Sequence, residues 1–173
     1  KSPIYIDLRL LASHPRVLNL VARAYAELLT DGTLEYDLIA PLPYAALPIG
    51  TAVSLQTGDP MIYPRKETKE YGTKRNIEGS FAAGQIAVML DDLISTGGTK
   101  VQSVQPLRDA GLQVSDILVL IDRSGGRGRA ELAEHGLLLH SVMTLETMLD
   151  HLATRRLISR AQKQEVERFL AES

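Results

Sequence analysis

One stretch decides the fold of this chain: Val88-Met89-Leu90-Asp91-Asp92-Leu93-Ile94-Ser95-Thr96-Gly97-Gly98-Thr99. Its apolar beginning is typical of a buried strand, which we predict over residues 86–90, and that strand ends on two carboxylates. The small residues that follow predict a tight turn, and a helix is expected to begin at about Gly98. Because ligands of open α/β sheets bind at the carboxyl ends of the strands, we expect a functional site here.

The turn over residues 95–99 has the composition of a seat for a phosphate. Consecutive backbone N–H groups and the N-terminus of the next helix favour negative charge. Hydroxyl side chains add donors, and two glycines let the backbone come close to a ligand. The two aspartates would repel a phosphate, so we expect them to accept hydrogen bonds from sugar hydroxyls or to reach Mg²⁺ through water. Taken alone, the spacing also fits a strand-to-helix turn with solvated aspartates.

The rest of the chain alternates between strand-like runs and helical periods. Strands are predicted at residues 5–9, 37–40, 61–63, 86–90, 117–121 and 137–142, and helices at about 15–31, 45–56, 98–110, 145–152 and 159–170. Ser13 and Pro15 are expected to start the first helix, and Ser159 with Gln162 forms a capping box for the last. This order predicts one α/β domain over residues 1–173, with a mostly parallel sheet flanked by helices. The chain opens almost directly into a strand, so we expect that an N-terminal part is missing.

Composition excludes several classes of protein. The net charge of -2 gives no reason to expect nucleic acid or an anionic membrane as a partner. There is no cysteine, no spanning apolar run and no signal peptide, so we expect a cytoplasmic protein. The four histidines lack the spacing of zinc ligands, and the glycine motifs of P-loop and dinucleotide-binding proteins are absent. Residues 124–129 are interpreted as a flexible turn rather than a nucleic-acid-binding tail.

A second stretch, Arg65-Lys66-Glu67-Thr68-Lys69-Glu70-Tyr71-Gly72-Thr73-Lys74-Arg75, places five cations in eleven residues. It has no apolar period and contains a glycine, so we predict a mobile loop over about residues 65–80 that closes over an anionic ligand. A lysine that arrives on closure would stabilise negative charge on a leaving group. A solvated surface loop is the alternative that the composition leaves open.

The first stretch resembles the signature of type I phosphoribosyltransferases that binds 5-phosphoribosyl-1-pyrophosphate (PRPP), in which two acids precede a Thr/Gly-rich loop. The resemblance implies the type I phosphoribosyltransferase fold. It implies that Asp91 and Asp92 hold the ribose of PRPP. It also implies that the 5′-phosphate is held by Ser95, Thr96, Gly97, Gly98 and Thr99.

The basic loop resembles the catalytic loop of the orotate phosphoribosyltransferase family, with its pattern Arg-Lys-Glu-x-Lys-x-(Tyr or His)-Gly. The resemblance implies that Arg65 and Lys66 bind pyrophosphate and that Lys69 is the catalytic lysine that reaches into the site. The loop of these homodimers serves the neighbouring subunit, so Lys66, Lys69 and Tyr71 are expected to act in trans. Many bacterial members have His at position 71, so no proton-transfer role is carried over to Tyr71.

Further segments resemble the same family and imply orotate as the base. Tyr5 and Ile6 match residues that flank the orotate ring, and Arg123 matches an arginine that binds this anion after a buried strand. Ser95 would offer its hydroxyl to the base. Tyr44 and Ala45 belong to a segment that resembles the loop under the pyrophosphate, where backbone N–H groups make the contact. A Lys-Ser-Gly segment that the family usually carries upstream is not in the chain.

Together the resemblances imply an enzyme that transfers the phosphoribosyl group of PRPP to orotate, with Lys69, Asp91 and Asp92 as catalytic residues. Mg²⁺ would bridge pyrophosphate and ribose oxygens, with few direct contacts to the protein. The continuation of the basic loop looks like that of UMP synthases, in which this domain is fused to orotidylate decarboxylase. The alternatives are a phosphoribosyltransferase for a purine or uracil, a PRPP-sensing regulator that binds RNA or DNA without catalysis, and a scaffold domain in a larger pyrimidine-synthesis protein.

Overall fold

The computed structural model describes residues 3–65 and 76–171. All strands of the central sheet are parallel and follow the order β1-β4-β5-β6: β1 (Leu38–Pro41), β4 (Ala87–Ile94), β5 (Asp116–Asp122) and β6 (Leu138–Thr144). A separate antiparallel pair is formed by β2 (Tyr63–Pro64) and β3 (Ile77–Glu78). The helices are α1 (Pro15–Thr30), α2 (Ala46–Thr57), α3 (Gly98–Asp109), α4 (Arg127–Glu134), α5 (Leu145–Thr154) and α6 (Arg160–Ala171). The predicted parallel α/β sheet is confirmed.

Both faces of the sheet are buried under helices. On one face, Met89 of β4 and Val119 of β5 lie in a core cluster with Leu107 of α3. On the other face, Leu90 and Leu118 lie in a second cluster with residues of α1, α2, α5 and α6. Because neither face meets water, β4 and β5 carry continuous apolar runs rather than an alternating pattern. This explains why the sequence revealed these two strands so clearly.

The predicted first strand is wrong. Residues Leu8–Ser13 form a 3-10 helix, and the described residues before it, 3–7, form no strand. Asp7 accepts the backbone N–H of Arg9 at 3.2 Å, which caps the 3-10 helix. The apolar residues of this segment, including Ile4 and Ile6, pack against the core cluster that contains residues of α1 instead of joining the sheet.

Most helix boundaries agree with the sequence signals. Pro15 begins α1, but the residue before it, His14, occupies the cap position that was expected for Ser13. Gly58 ends α2 in the left-handed conformation with a φ of 81°. The capping box is confirmed, because the Gln162 N–H donates to Ser159 Oγ at 3.2 Å and the Ser159 N–H to Gln162 Oε1 at 2.8 Å. In the described ranges, no helix has the length and apolarity to cross a bilayer.

Candidate active site

The two acids lie within β4 rather than after it. The strand was expected to end at Leu90, but it runs on through Asp91 and Asp92 to Ile94. Its pairing with β5 continues as far as Ile94 and Asp122, and this ladder fixes the backbone of both acids. Asp91 is buried and Asp92 is half-buried. The acid pair is therefore a rigid part of the carboxyl edge of the sheet.

The carboxylates are held by neighbouring donors. The Asp92 N–H donates to Asp91 Oδ1 and the Leu93 N–H donates to Asp92 Oδ1, both at 2.8 Å. The ammonium group of Lys100, in the first turn of α3, contacts Asp91 Oδ2. Burial, together with the charge and hydrogen bond of Asp91, raises the pKa of Asp92 to about 6, while the Leu93 N–H and the charge of Lys100 act to lower it. Near neutral pH, Asp92 is mostly ionised and accepts hydrogen bonds.

Tyr25, a buried residue of α1, binds the backbone of the acid pair. Its hydroxyl donates to the backbone oxygen of Asp91 at 2.6 Å, and its ring is fully buried. Burial raises the pKa of the Tyr25 phenol well above its usual range, so the group stays a neutral donor. The sequence placed Tyr25 only on the apolar face of α1. A tyrosine on a buried face needs a partner for its hydroxyl, and that was the available signal.

The turn predicted over residues 95–99 leads into α3, which begins at Gly98 as expected. Ser95, Thr96 and Thr99 are exposed, so their hydroxyls are accessible. One of the backbone donors is already engaged, because the Gly97 N–H donates to Glu131 Oε2 at 2.7 Å. A Cβ added to Gly97 would lie 3.0 Å from the Cβ of Glu131, so this glycine lets α4 come close. Sequence reasoning missed Glu131, which lies 34 residues further along the chain.

Arg123 follows β5 directly and lies beside the phosphate turn. Its N–H donates to the Ile94 oxygen at 2.9 Å, which places it next to the start of that turn. The following segment is not the expected flexible turn. Asp122 Oδ1 accepts from the N–H of Ser124 at 2.9 Å and from its hydroxyl at 2.6 Å, and α4 begins at Arg127. Ser124 is fully buried, so this turn holds Arg123 in place.

The N-terminal segment comes close to the acid pair. Arg9 pairs with Asp7, and its Nη2 donates to the Tyr5 hydroxyl at 2.8 Å. The charge of Asp92 is among those that raise the pKa of Arg9. Tyr5 is 77% exposed and Ile6 is half-buried, so the Tyr5 ring remains accessible at this edge.

A cavity of about 290 Å³ adjoins Asp91 on the side away from Arg123. It is lined by Leu42, Pro43, Pro64, Arg65, Asp91, Thr99, Lys100, Ser103 and Pro106. Tyr44 and Ala45 directly follow this lining and precede α2; the Pro43–Tyr44 peptide bond is cis, and Tyr44 is 61% exposed. A cavity of about 660 Å³ lies beyond Pro106, lined by Asp109 and neutral residues of the described chain, and it suits an anion less well.

Part of the basic loop lies outside the described residues, including Lys66, Lys69 and Tyr71. Arg65 is described, and its guanidinium pairs with Glu78 of β3. The predicted loop boundary at residue 80 is wrong, because Ile77 and Glu78 pair with β2. Ile77 is buried, which anchors this part of the segment to the core.

The described residues form no cluster of three or more His, Asp or Glu side chains that could hold a metal ion. Of the histidines, His140 contacts Asp116 through its Nε2 at 2.8 Å, at the opposite end of the sheet from the acid pair.

Comparison with known sequences adds a family context to this geometry. No protein-family model matches the chain. It is 38% identical over 170 residues to the orotate phosphoribosyltransferase of Caenorhabditis elegans, covering 98% of this chain and 74% of that protein. It is 39% identical over 172 residues to the uridine 5′-monophosphate synthase of Bos taurus, covering 99% of this chain and 36% of that protein.

Comparison with solved structures finds the same two kinds of protein. The UMP synthase of Leishmania donovani matches with a TM-score of 0.91 and 43% identity, over 99% of this chain and 37% of that one. The orotate phosphoribosyltransferase of Mycobacterium tuberculosis, in complex with PRPP, matches with a TM-score of 0.68 and 32% identity, over 82% of this chain and 81% of that one. The chain thus spans about a third of the length of the UMP synthases it matches.

Proposed function

Because this chain belongs to the orotate phosphoribosyltransferase family, we propose that it transfers the 5-phosphoribosyl group of PRPP to orotate. The products are orotidine 5′-monophosphate and pyrophosphate, in the biosynthesis of UMP. Its fold is the type I phosphoribosyltransferase fold of its structural neighbours. One observation carries the proposal: at the carboxyl edge of a parallel sheet, an acid pair near the end of β4 is followed by a short turn that leads into the N-terminus of α3.

In the proposed complex, PRPP lies across the carboxyl end of β4. Residues 95–99 receive its 5′-phosphate, since their N–H groups and hydroxyls are donors at a helix N-terminus. Asp91 and Asp92 accept hydrogen bonds from the ribose hydroxyls. The pyrophosphate extends toward the 290 Å³ cavity. Its proposed contacts are Tyr44, Ala45, Arg65, Lys66, Lys69 and Tyr71.

The proposed orotate pocket lies between the N-terminal segment and the end of β5. Orotate is an anion, and Arg123 offers it a cation held next to the phosphate turn. Tyr5 and Ile6 would flank the ring, and the Ser95 hydroxyl would reach the base. The Arg9 contact with Tyr5 supports this placement, because the charge of Asp92 is also among those that raise the pKa of Arg9.

The proposed reaction is a displacement at the anomeric carbon of the ribose. The bond from this carbon to the pyrophosphate oxygen breaks, and a ring nitrogen of orotate forms the new bond through a transition state with oxocarbenium character, while the proton of that nitrogen leaves to water or to the departing pyrophosphate. Asp91 and Asp92 orient the ribose, and Lys69 stabilises the charge that develops on the pyrophosphate. Mg²⁺, held by PRPP oxygens and water beside the acids, would supply further charge neutralisation.

The proposed active form is a cytoplasmic homodimer. Lys66, Lys69 and Tyr71 of each subunit would act in the site of its neighbour. The UMP synthase relatives are longer than this chain, which supports a further proposal that an orotidylate decarboxylase domain is joined to it. No contact with nucleic acid or a membrane is proposed.

A panel of bases tests the proposed function. With PRPP and Mg²⁺, orotate is expected to be consumed and pyrophosphate released, while uracil, hypoxanthine and adenine are turned over far more slowly, because only orotate carries a carboxylate for Arg123. An absorbance assay for each base gives the rates. Turnover of uracil or a purine without turnover of orotate would contradict the proposed substrate. Salt-dependent binding of RNA or DNA without any turnover would instead favour a regulator.

Glu131 already occupies one donor of the proposed phosphate seat, and its charge would repel a bound phosphate. We therefore expect Glu131→Gln, which keeps the side-chain size, to lower the KM for PRPP by about three- to tenfold, or ~1 kcal/mol, with little change in kcat. Steady-state kinetics checks this, with Glu134→Gln on the exposed part of the same helix as the control. A higher KM would mean that Glu131 supports the turn instead of competing with phosphate.

A further inference from the structure

Lys100 has no part in the function proposed above, yet its ammonium group is nearly enclosed. It donates to Asp91 Oδ2, and the two side chains are 12% and 11% exposed. In the surface pair of Lys163 and Asp150, by contrast, the exposed fractions are 25% and 65%. Two charges are removed from water only at a large cost, which a close pairing has to offset. Breaking the Lys100 pair is therefore expected to matter far more than breaking the surface pair.

The helix itself does not favour a lysine at this position. Lys100 is the third residue of α3, where the helix dipole presents partial positive charge. The first turn of α3 contains no acidic residue that would compensate. The contact with Asp91 on the neighbouring strand is thus what stabilises Lys100 there.

The contact also fixes the side chain of Asp91. Its Oδ2 receives Lys100, its Oδ1 receives the Asp92 N–H, and its backbone oxygen receives the Tyr25 hydroxyl. Both carboxylate oxygens of Asp91 therefore have a donor, and a third donor holds its backbone. The carboxylate thus has one preferred orientation. The backbone of Asp92, whose N–H takes part in this arrangement, is fixed with it.

We infer that Lys100 is a positioning residue that acts through Asp91, holding the acid pair in the orientation that receives the ribose hydroxyls of PRPP. The inference rests on the proposed function, since it concerns how the PRPP ribose is held. Lys100 also lines the 290 Å³ cavity beside Arg65, so a direct contact with the pyrophosphate is the competing account. The two accounts differ in whether the effect of Lys100 requires Asp91.

A double-mutant cycle on PRPP affinity separates the two accounts. The Kd of Mg²⁺–PRPP is measured by calorimetry for the wild type, Lys100→Met, Asp91→Asn and the double variant. We expect Lys100→Met to weaken binding about tenfold, because it leaves a buried carboxylate unpaired. The double variant is expected to bind no more weakly than Asp91→Asn alone. Fold losses that multiply in the double variant would overturn the inference.

Inorganic pyrophosphate provides a second readout. In the Asp91→Asn background, Lys100→Met is expected to leave the Kd of Mg²⁺–pyrophosphate within about twofold, because the acid through which Lys100 acts is gone. A large loss there would show direct contact with the anion and overturn the inference. Lys163→Met makes the same change of charge at the surface pair and should leave both affinities unchanged.

The design also covers a loss of folding and a failure of the proposed function. If Lys100→Met alone unfolds in a thermal melt, Lys100→Arg and the double variant carry the test, and Lys100→Arg is expected to retain most of the PRPP affinity. A loss in Lys100→Arg equal to the loss in Asp91→Asn would contradict the inference. A wild-type protein that binds no PRPP overturns the proposed function as well. A wild type that converts orotate while the cycle is additive overturns this inference alone.

Discussion

Lys69→Ala is expected to lower kcat by about 10²- to 10³-fold while changing the affinity for PRPP by less than about threefold. Lys69 is outside the described residues, but the chain on both sides of its loop is fixed beside the site. The Arg65 N–H donates to the Asn76 oxygen at 2.8 Å, and Arg65 lines the cavity next to Asp91. A lysine that this loop carries into the neighbouring subunit's site on closure would act mainly in the transition state.

Steady-state kinetics with PRPP and orotate checks this, and Lys74→Ala, which removes another cation from the same loop, is the control. Equal losses in kcat and in 1/KM would contradict a role confined to the transition state. Mixing Lys69→Ala with Asp92→Ala protein tests the proposed action across the dimer. Heterodimers would contain one intact site, so random exchange should restore about a quarter of the wild-type activity. If verified heterodimers stay inactive, the loop serves its own subunit.

The central sheet could be predicted because its signals are local and strong. β4 and β5 carry apolar runs that only a strand buried on both faces explains, the acids lie near the end of β4, and the turn with its glycines follows within a few residues. The strand predicted over residues 5–9 was wrong because Tyr5, Asp7 and Arg9 alternate with apolar residues, a pattern that is typical of a half-buried strand. In the structure, Asp7 and Arg9 bind each other on one side of a 3-10 helix, a contact that a period of two does not encode.

The candidate site likewise has a part that could be predicted from the sequence and a part that could not. Its acids and the turn over residues 95–99 lie in one continuous stretch, so the spacing indicated a site for a sugar phosphate, and the family resemblance favoured this over a solvated turn. Tyr25, Lys100 and Glu131 reach that stretch from 66, 9 and 34 residues away from their partners. Such contacts depend on how α1, α3 and α4 pack against the sheet. No periodicity within one helix indicates where a single polar side chain will meet another element.

Asp92→Asn is expected to lower kcat/KM for PRPP by about 100-fold, because an ionised acceptor of the ribose hydroxyls is replaced by an amide. The thermal stability of this variant is not expected to fall. The pKa of Asp92 is raised from its ordinary value of 3.8 to about 6 in the folded protein, mainly by burial, so the free energy of unfolding falls as the pH rises through this range and the full loss is present at pH 7. At pH 7 the Asn variant should therefore melt no lower than the wild type. Asp109→Asn, at the exposed end of α3, is the control.

The same residue sets the expected pH dependence. In the wild type, kcat/KM for PRPP should fall as the pH drops through about 6, since protonated Asp92 no longer accepts as a carboxylate. The charged neighbours that interact with Asp92 are Asp91, Lys100 and Arg9. Of these three charges, only that of Asp91 adds to the effect of burial and raises the pKa of Asp92. The PRPP phosphate also titrates at about pH 6, as phosphate esters do. A pH profile that keeps the same acid limb in Asp92→Asn would assign the titration to the substrate instead.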